Sequence, residues 1–449
     1  MEKDTHVNIL SGPIWKQLLI FFFPILLGTF FQQIYNTTDT FIVGNFVGKE
    51  ALAAVGGSPF YIINIFIGFS IGLSSGSSIV IAQFFGSGKI KHLSQSIHTS
   101  IAFSIIIGLI LNIVMLIIGK HILIVLKVPP DAMEYSSVYL NIISFGFSFT
   151  MVYNMTTSIF RAIGDTKKPL YFLIFSCFTN IILDLLFVVV FKLGVAGVAI
   201  ATVISQFLSA FLSMLALTRV DANYKIILDK VKITPIILKK IIRIGLPRGL
   251  QSVLFSLSNL IVQSSFNLLG TDAIAGWTVD GKVEQLFWMT LSCFGVAITV
   301  FTAQNLGAKK YDRVKNGLKI CFQMTAASAI FLSILIYLLG PMACKIFTSD
   351  ELVLSYASKM LRTLAPFYIT YIGVEIIAGF LYGIGISFAP MIITATGICT
   401  FRILWVIFVV AKHPTLYNVI GCYPTSWILT SSLFVLYYLF SKKRKKIII

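Results

Sequence analysis

Charge is what this sequence has least of. Asp, Glu, Lys and Arg make up 12% of its 449 residues, about half the share of a soluble globular chain. With 57% hydrophobic residues and a mean hydropathy of +0.91, the composition is that of an integral membrane protein. Cysteine is sparse and scattered: Cys177, Cys293, Cys321, Cys344, Cys399 and Cys422 stand singly, with no C-x-x-C pair. That spacing gives neither a metal site nor a disulfide framework. No Walker A sequence occurs, so ATP is not the driver of this chain. H-E-x-x-H is missing too. A literal G-x-S-x-G at Gly72–Gly76 follows no strand, and none of His6, His92, His98, His121 or His413 looks deep enough to serve it as a base. An enzyme is therefore not expected. The start, Met1–His6, mixes acid and base, and no short apolar core with a cleavage site follows, so no cleaved signal peptide is expected.

What the chain has is continuous apolar runs. About 20 such residues span a bilayer as a helix, and counting predicts roughly twelve spans. They fall near 14–38, 52–83, 94–119, 133–159, 169–191 and 196–218, then 237–268, 272–305, 318–340, 352–382, 388–411 and 420–440. Membrane strands would alternate in ten-residue pieces, so the fold is read as an all-α integral membrane protein. The formal charge of +18 would suit nucleic acid only if clustered on a soluble face. Here the bases sit in alternate short connections: Lys89 and Lys91; Arg161, Lys167 and Lys168; Arg219–Arg248; Lys309–Lys319; and Lys442–Lys446. The other connections hold few: Lys49, Lys120, Lys127, Lys192, Lys345 and Lys412, with Lys359 and Arg362 near the outer end of the tenth run. This is the positive-inside pattern. It predicts a multi-pass protein of the cell membrane with both termini cytoplasmic, lipid for a neighbour and no nucleic-acid partner.

The halves repeat. Val47–Ala54 resembles Leu269–Gly276, Ala82–Gly86 returns as Ala303–Gly307, and Phe160–Gly164 returns as Leu381–Gly385, at an offset of about 221–222 residues. An even number of helices per half makes the repeats parallel, two six-helix bundles with a transport path between them. The expected division is an N-terminal bundle over 1–218, a cytoplasmic linker over 219–236 and a C-terminal bundle over 237–449.

Against this background the buried acids stand out. An intramembrane carboxylate costs roughly 3 kcal/mol on insertion scales and is a functional hypothesis by default. Asp39 ends the first apolar run, preceded by Gln33, Tyr35 and Asn36, which could line a wet cavity; the competing reading puts Asp39 at the membrane edge. Asn180 and Asp184 are four residues apart and share a helix face. The second-half counterparts of the two acids are close to Ile261 and to Trp405 or Val406, so the acids are no part of the shared scaffold. Two neighbouring carboxylates titrate as a unit, as a single coupling site requires. Pro24 is read equally as a bend or a static kink. Asp280 and Glu284 share a face in the eighth run, and Glu284 is read either as a contact for cationic cargo or as a partner of Lys282 or Arg402. Glu375 lies deep by sequence. Gly68, Gly72 and Gly76 are read as close helix packing.

Taken together, the motifs resemble the multidrug and toxic compound extrusion (MATE) family. The matching features are the Pro-containing first helix reaching Asp39, Gly48…Ala51…Ala54, Ala82-Gln83…Gly86, Phe160-Arg161-Ala162…Gly164-Asp165…Pro169, Asn180…Asp184 and Gly194…Gly197…Ala201-Thr202. The carboxylate in the first helix is similar to the DinF-like branch. That resemblance implies a secondary active exporter, working as a monomer without a cofactor, that exchanges amphipathic and cationic drugs for protons. It implies a cation site of Asp39, Asn180 and Asp184 with Tyr139, Asn154 and Thr202 as polar partners. Sodium at Asp39, Asn180 and Asp184 is the alternative ion. Asn36, Gln33, Glu284, Glu375 and Asp280 are candidates for the substrate cavity. A lipid-linked saccharide flippase of the same superfamily is the alternative function. The chain departs from the family pattern at Ile386–Ala389, where the charges of the first half are absent.

Overall fold

In a bilayer every backbone N–H and C=O must be satisfied within its own segment, so long apolar runs become helices. The computed structural model describes residues 9–126 and 128–443. Met1–His6, Lys127, the side chain of Lys49 and the basic side chains of Lys442–Lys446 lie outside the described residues. The helices are α1 (Ile14–Phe46), α2 (Lys49–Gly56), α3 (Ser58–Gly86), α4 (Ile90–Val125), α5 (Pro130–Ile163), α6 (Lys167–Asp184) and α7 (Gly194–Arg219). They continue with α8 (Pro235–Phe266), α9 (Thr271–Gly307), α10 (Tyr311–Cys344), α11 (Glu351–Leu364), α12 (Ile372–Gly383), α13 (Phe388–Thr394), α14 (Phe401–Trp405) and α15 (Leu416–Lys443). No strand occurs among the described residues.

Among the described residues eleven spans are long and apolar enough to cross a membrane. The twelfth expected span is α5, a continuous helix of 34 residues made less apolar by buried groups such as Tyr139, Ser144, Thr156 and Thr157. The fold is the expected all-α membrane protein of about twelve spans.

The chain divides into two compact units, Phe23–Ser252 and Val253 onward, the latter joined by Ile9–Phe22. The change-overs fall inside α1 and α8. Both helices carry an internal proline nearby, Pro24 and Pro247, each removing one backbone hydrogen bond. In the first unit α5 packs against α3, α4 and α7. In the second α9 packs against α10, α11 and α12.

The repeat is written in the backbone. At the end of α5, Gly164 N–H bonds Arg161 O and Asp165 N–H bonds Phe160 O; 221 residues later Gly385 N–H bonds Tyr382 O and Ile386 N–H bonds Leu381 O. Both glycines are left-handed, with φ of 95° and 89°, the conformation that closes a helix most cheaply on glycine. The turn after α3 is likewise matched by the turn after α9, with Gly88 (φ 67°) answered by Lys309 (φ 56°).

The connector after α7 lies along α4. His98 Nε2 accepts from Ile227 N–H at 3.0 Å and its Nδ1 lies 2.7 Å from Ser94 O, while Thr99 Oγ1 accepts from Thr234 N–H at 3.1 Å. His98 is thus buried, at 3% exposure, contrary to the sequence reading. Both of its ring nitrogens are taken by backbone, so it is no base for a serine.

In the second unit a clamp holds the chain just before α1. Arg313 donates to Ile9 O (3.2 and 3.1 Å), Ser11 O (2.9 Å) and Gly12 O (2.8 Å), and Lys310 donates to Leu10 O at 2.8 Å. Above the clamp Phe22 stacks on Phe294 with ring centroids 4.3 Å apart. Hydrogen bonds from charged donors contribute about 1.5–3 kcal/mol each when fully formed, less where exposed. Arg313→Gln is therefore expected to lower the unfolding temperature of the purified protein by several degrees, and Arg313→Lys by about as much, since a point charge cannot fork across three carbonyls. Thermal unfolding in detergent measures it, and unchanged melting of both variants would show that the clamp does not form.

Candidate functional site

The first unit assembles the two acids. From the far half of α1, Asp39 is 5% exposed, and from the end of α6 Asn180 and Asp184 are fully buried. Thr202, two turns into α7, donates to Asp39 Oδ2 at 3.4 Å. The Asp39 and Asp184 carboxyls lie within interaction range of each other, with Asn180 beside them. Tyr139 of α5 is in electrostatic reach of both acids. The structure therefore brings five of the six expected cation-site residues together. The sixth, Asn154, is half-buried, its Nδ2 enclosed without a partner; no hydrogen bond joins it to either acid.

Sequence reading placed Tyr35 only among wet-cavity residues. In the structure its hydroxyl is buried without a hydrogen bond and within reach of Asp39, Thr202, Tyr139 and Asp184. The signal was present, since Tyr35 lies four residues before Asp39 and so shares its helix face.

The site is underbonded. Asp39 Oδ1, both oxygens of Asp184 and both polar atoms of Asn180 are buried without a hydrogen-bond partner. A buried polar group left unmatched costs about 1–3 kcal/mol, more if charged, and native proteins tolerate few. Such a set of oxygens fits a bound proton or small cation. Among the described residues no group of three or more His, Cys, Asp or Glu gathers as for a transition metal.

Two local features frame the pair. Immediately after Asp184 the helix widens to a π-turn, Leu185–Val190, a device often found at functional sites. A π-turn recurs at Val406–Val410, after Trp405, so the widened turn belongs to the shared scaffold and the acid does not. Beyond the pair, Ile42, Val43, Ile143, Val188, Val195 and Val198 form a dry cluster with Tyr139. It closes the site toward the end where α1 finishes and α7 begins.

The second unit holds the other acids. Glu284 accepts from Tyr368 Oη at 2.7 Å. Asp280, fully buried, has both oxygens unpartnered and interacts with Glu284. Around them stand rings: Trp288 lies 5.9 Å from Tyr368, 5.0 Å from Tyr371 and 5.5 Å from Trp427, centroid to centroid. Arg402 is buried but committed, donating from Nε to Ser426 Oγ at 3.0 Å and from a terminal nitrogen to Asn259 Oδ1 at 2.8 Å. Its guanidinium lies over Tyr423 at 4.3 Å. Of the two readings of Glu284, a paired salt bridge is thus not the geometry found; its partner is a phenol. Glu375 is half-buried and packs on Gly295, and Gln33 and Asn36 are half-buried on α1.

A duplicated all-helical membrane fold, with the Asp39–Asp184 pair in one repeat and no acid at the matching positions of the other, defines the class of secondary transporters built from internal repeats. The MatE family model matches residues 24–186 and again 247–407. The chain belongs to the MATE family of membrane transporters.

Among its relatives, the chain is 29% identical over 446 residues to the probable multidrug resistance protein YoeA of Bacillus subtilis, covering 97% of this chain and 95% of that one. It is 26% identical over 412 residues to the probable multidrug resistance protein NorM of Thermotoga maritima, covering 89% and 86%. It is 23% identical over 379 residues to the multidrug export protein MepA of Staphylococcus aureus, covering 83% and 82%. Its fold matches that of a multidrug resistance MATE family transporter of the MOP superfamily in an outward-facing conformation, with a TM-score of 0.89 at 22% identity over 99% of this chain and 100% of that one.

Proposed function

We propose that this chain exports amphipathic, often cationic small molecules by alternating access, in exchange for protons entering at the Asp39–Asp184 pair. Sodium is the alternative coupling ion at Asp39, Asn180 and Asp184. The observation that carries this reading is the set of buried carboxylate oxygens without hydrogen bonds. A charged pair in low dielectric repels itself, and a proton or cation between the two carboxyls removes that repulsion. Loading also gives Asn180, Thr202 and the two phenols a neutral or cation-bound group to bond. A site whose packing depends on its load can bias a conformational equilibrium.

For the cargo, Asp280, Glu284 and the rings of Trp288, Tyr368 and Trp427 supply negative charge and π-faces, which suit flat organic cations. Glu375 in the second unit, and Gln33 and Asn36 in the first, are proposed as further polar contacts for cargo. The relatives' names, multidrug resistance and multidrug export proteins, support a small-molecule drug cargo. A lipid-linked saccharide flippase would offer free bases to a pyrophosphate, and Arg402, the buried cation, is already held by Asn259, Ser426 and Tyr423. The pattern of basic connections supports a cell-membrane protein with both termini cytoplasmic, and the two-unit chain supplies every proposed site as a monomer.

The test is ethidium efflux from cells expressing the chain, with proton and sodium gradients collapsed separately. Export stopped by proton collapse alone supports the reading as stated. Export stopped by sodium collapse alone changes the ion and keeps the site. No export of any cationic dye under either gradient would overturn the cargo class.

A further inference from the structure

Lys310, Arg313, Lys315 and Lys319 cluster at the start of α10, and they are not equivalent. Lys310, just before the helix, and Arg313 are occupied by the carbonyls of Leu10 and of Ile9, Ser11 and Gly12. Lys315 and Lys319 have no hydrogen-bond or ion-pair partner among the described residues, and both are exposed. They are four residues apart, one above the other on one helix face. Asp312, the nearest acid in sequence, pairs with neither among the described residues.

The two ammonium groups front a groove. Lys315, Leu318, Lys319, Phe322 and Gln323 of α10 line it with Ile377 of α12 and Tyr438 of α15, and it encloses about 280 Å³. Its floor is formed by Ile377, which is buried, and by Tyr438, which sits edge-on to Phe380 at 5.8 Å. Along α10 the charge is confined to Lys315 and Lys319, and the lining beyond them, Phe322 and Gln323, is uncharged. That arrangement matches a molecule with an anionic head and a hydrocarbon tail lying along the helix. The groove opens near the start of α10 and the end of α15, where tyrosine and lysine mark a membrane–water boundary. Bases beside a membrane attract anionic lipid. A peptide or a soluble anion would use the charge but not the apolar floor at membrane depth.

We infer that the groove between α10, α12 and α15 is a binding site for an anionic phospholipid, its phosphate held between Lys315 and Lys319 and an acyl chain lying along Leu318, Phe322 and Ile377. The site is separate from the buried acids and does not depend on how they are loaded. It places a lipid beside the Arg313 clamp, at the start of the same helix.

Native mass spectrometry of the full chain tests this, with dioleoylphosphatidylglycerol and dioleoylphosphatidylcholine added in parallel. The wild type is expected to retain phosphatidylglycerol in preference to phosphatidylcholine. Lys315→Gln/Lys319→Gln is expected to cut that preference about tenfold or more, and Phe322→Ser to weaken retention of long-chain but not of dihexanoyl phosphatidylglycerol. Lys89→Gln/Lys91→Gln, which removes two exposed bases elsewhere, should change nothing. Equal retention of the two lipids, an unchanged preference in the α10 double variant, or equal loss in the Lys89/Lys91 control would overturn the site. Binding of glycerol phosphate as tight as that of the lipid would overturn the lipid assignment. All five positions are exposed, so the variants are expected to fold, and unfolding curves in phosphatidylcholine check that they do.

Discussion

Asp184→Asn is expected to stop export while leaving the protein at least as stable as the wild type. The argument rests on what surrounds the side chain. Both carboxyl oxygens of Asp184 are buried without a hydrogen bond, and Asp39 stands in interaction range. An ionisable group held this way contributes no net favourable contact that an amide of the same shape would lose. Asparagine removes the charge and its repulsion, so the unfolding temperature should stay level or rise by the equivalent of about 1–3 kcal/mol. The same change removes the proton- or cation-binding capacity, and ethidium efflux should fall to the level of cells without the protein. Asp39→Asn is expected to behave alike, with a smaller gain in stability because Thr202 already satisfies one Asp39 oxygen. Efflux assays paired with unfolding curves separate the cases. A variant that loses both stability and export would mark Asp184 as structural. One that keeps export would remove it from the coupling site.

Gly76→Ala is expected to be among the most damaging single changes in the first unit. A Cβ at Gly76 would lie 2.6 Å from Gly245 Cα, 2.6 Å from Gly245 N and 2.6 Å from Ile241 O. All three atoms are backbone, so no side chain can rotate away, and α3 and the first half of α8 must separate. Gly72 on α3 likewise meets the backbone of Gly249 and Arg248, and Gly68 meets the Ser252 side chain, so separation at one level loosens the whole seam. In a bilayer, close contact between small residues supplies much of the packing energy that apolar burial supplies in water. A forced overpacking costs about 1–3 kcal/mol and sometimes more, which would appear as lower folded yield and a lower unfolding temperature. Gly281→Ala is the matched control. Nothing lies within 4 Å of a Cβ there, and helical alanine is favoured over glycine by about 1 kcal/mol, so that variant should be neutral or more stable. Equal behaviour of the two would mean that α3 and α8 do not meet at Gly76.

The sequence alone determined the class of fold. Continuous apolar runs, the spread of Lys and Arg and the 221-residue echo of Phe160–Gly164 in Leu381–Gly385 are local or periodic signals, and they survive without coordinates. It also determined where charge is costly, because Asp39 and Asp184 stand inside membrane-grade sequence whatever packs against them. What only the tertiary structure decided is pairing. The glycine stripe of α3 was legible as a packing face, but its partner, Gly245 and Gly249, lies about 170 residues away. Glu284 had Lys282 and Arg402 as plausible partners in sequence and took a third, Tyr368. His98 looked shallow because its cover is supplied by a connector nearly 130 residues later. Arg313 shows nothing in sequence of its hold on Ile9–Gly12. Periodicity records which face of a helix is apolar and what a charge costs in lipid. Which distant segment meets that face is settled by the close packing of the whole chain, where a single Cβ decides whether two helices can touch.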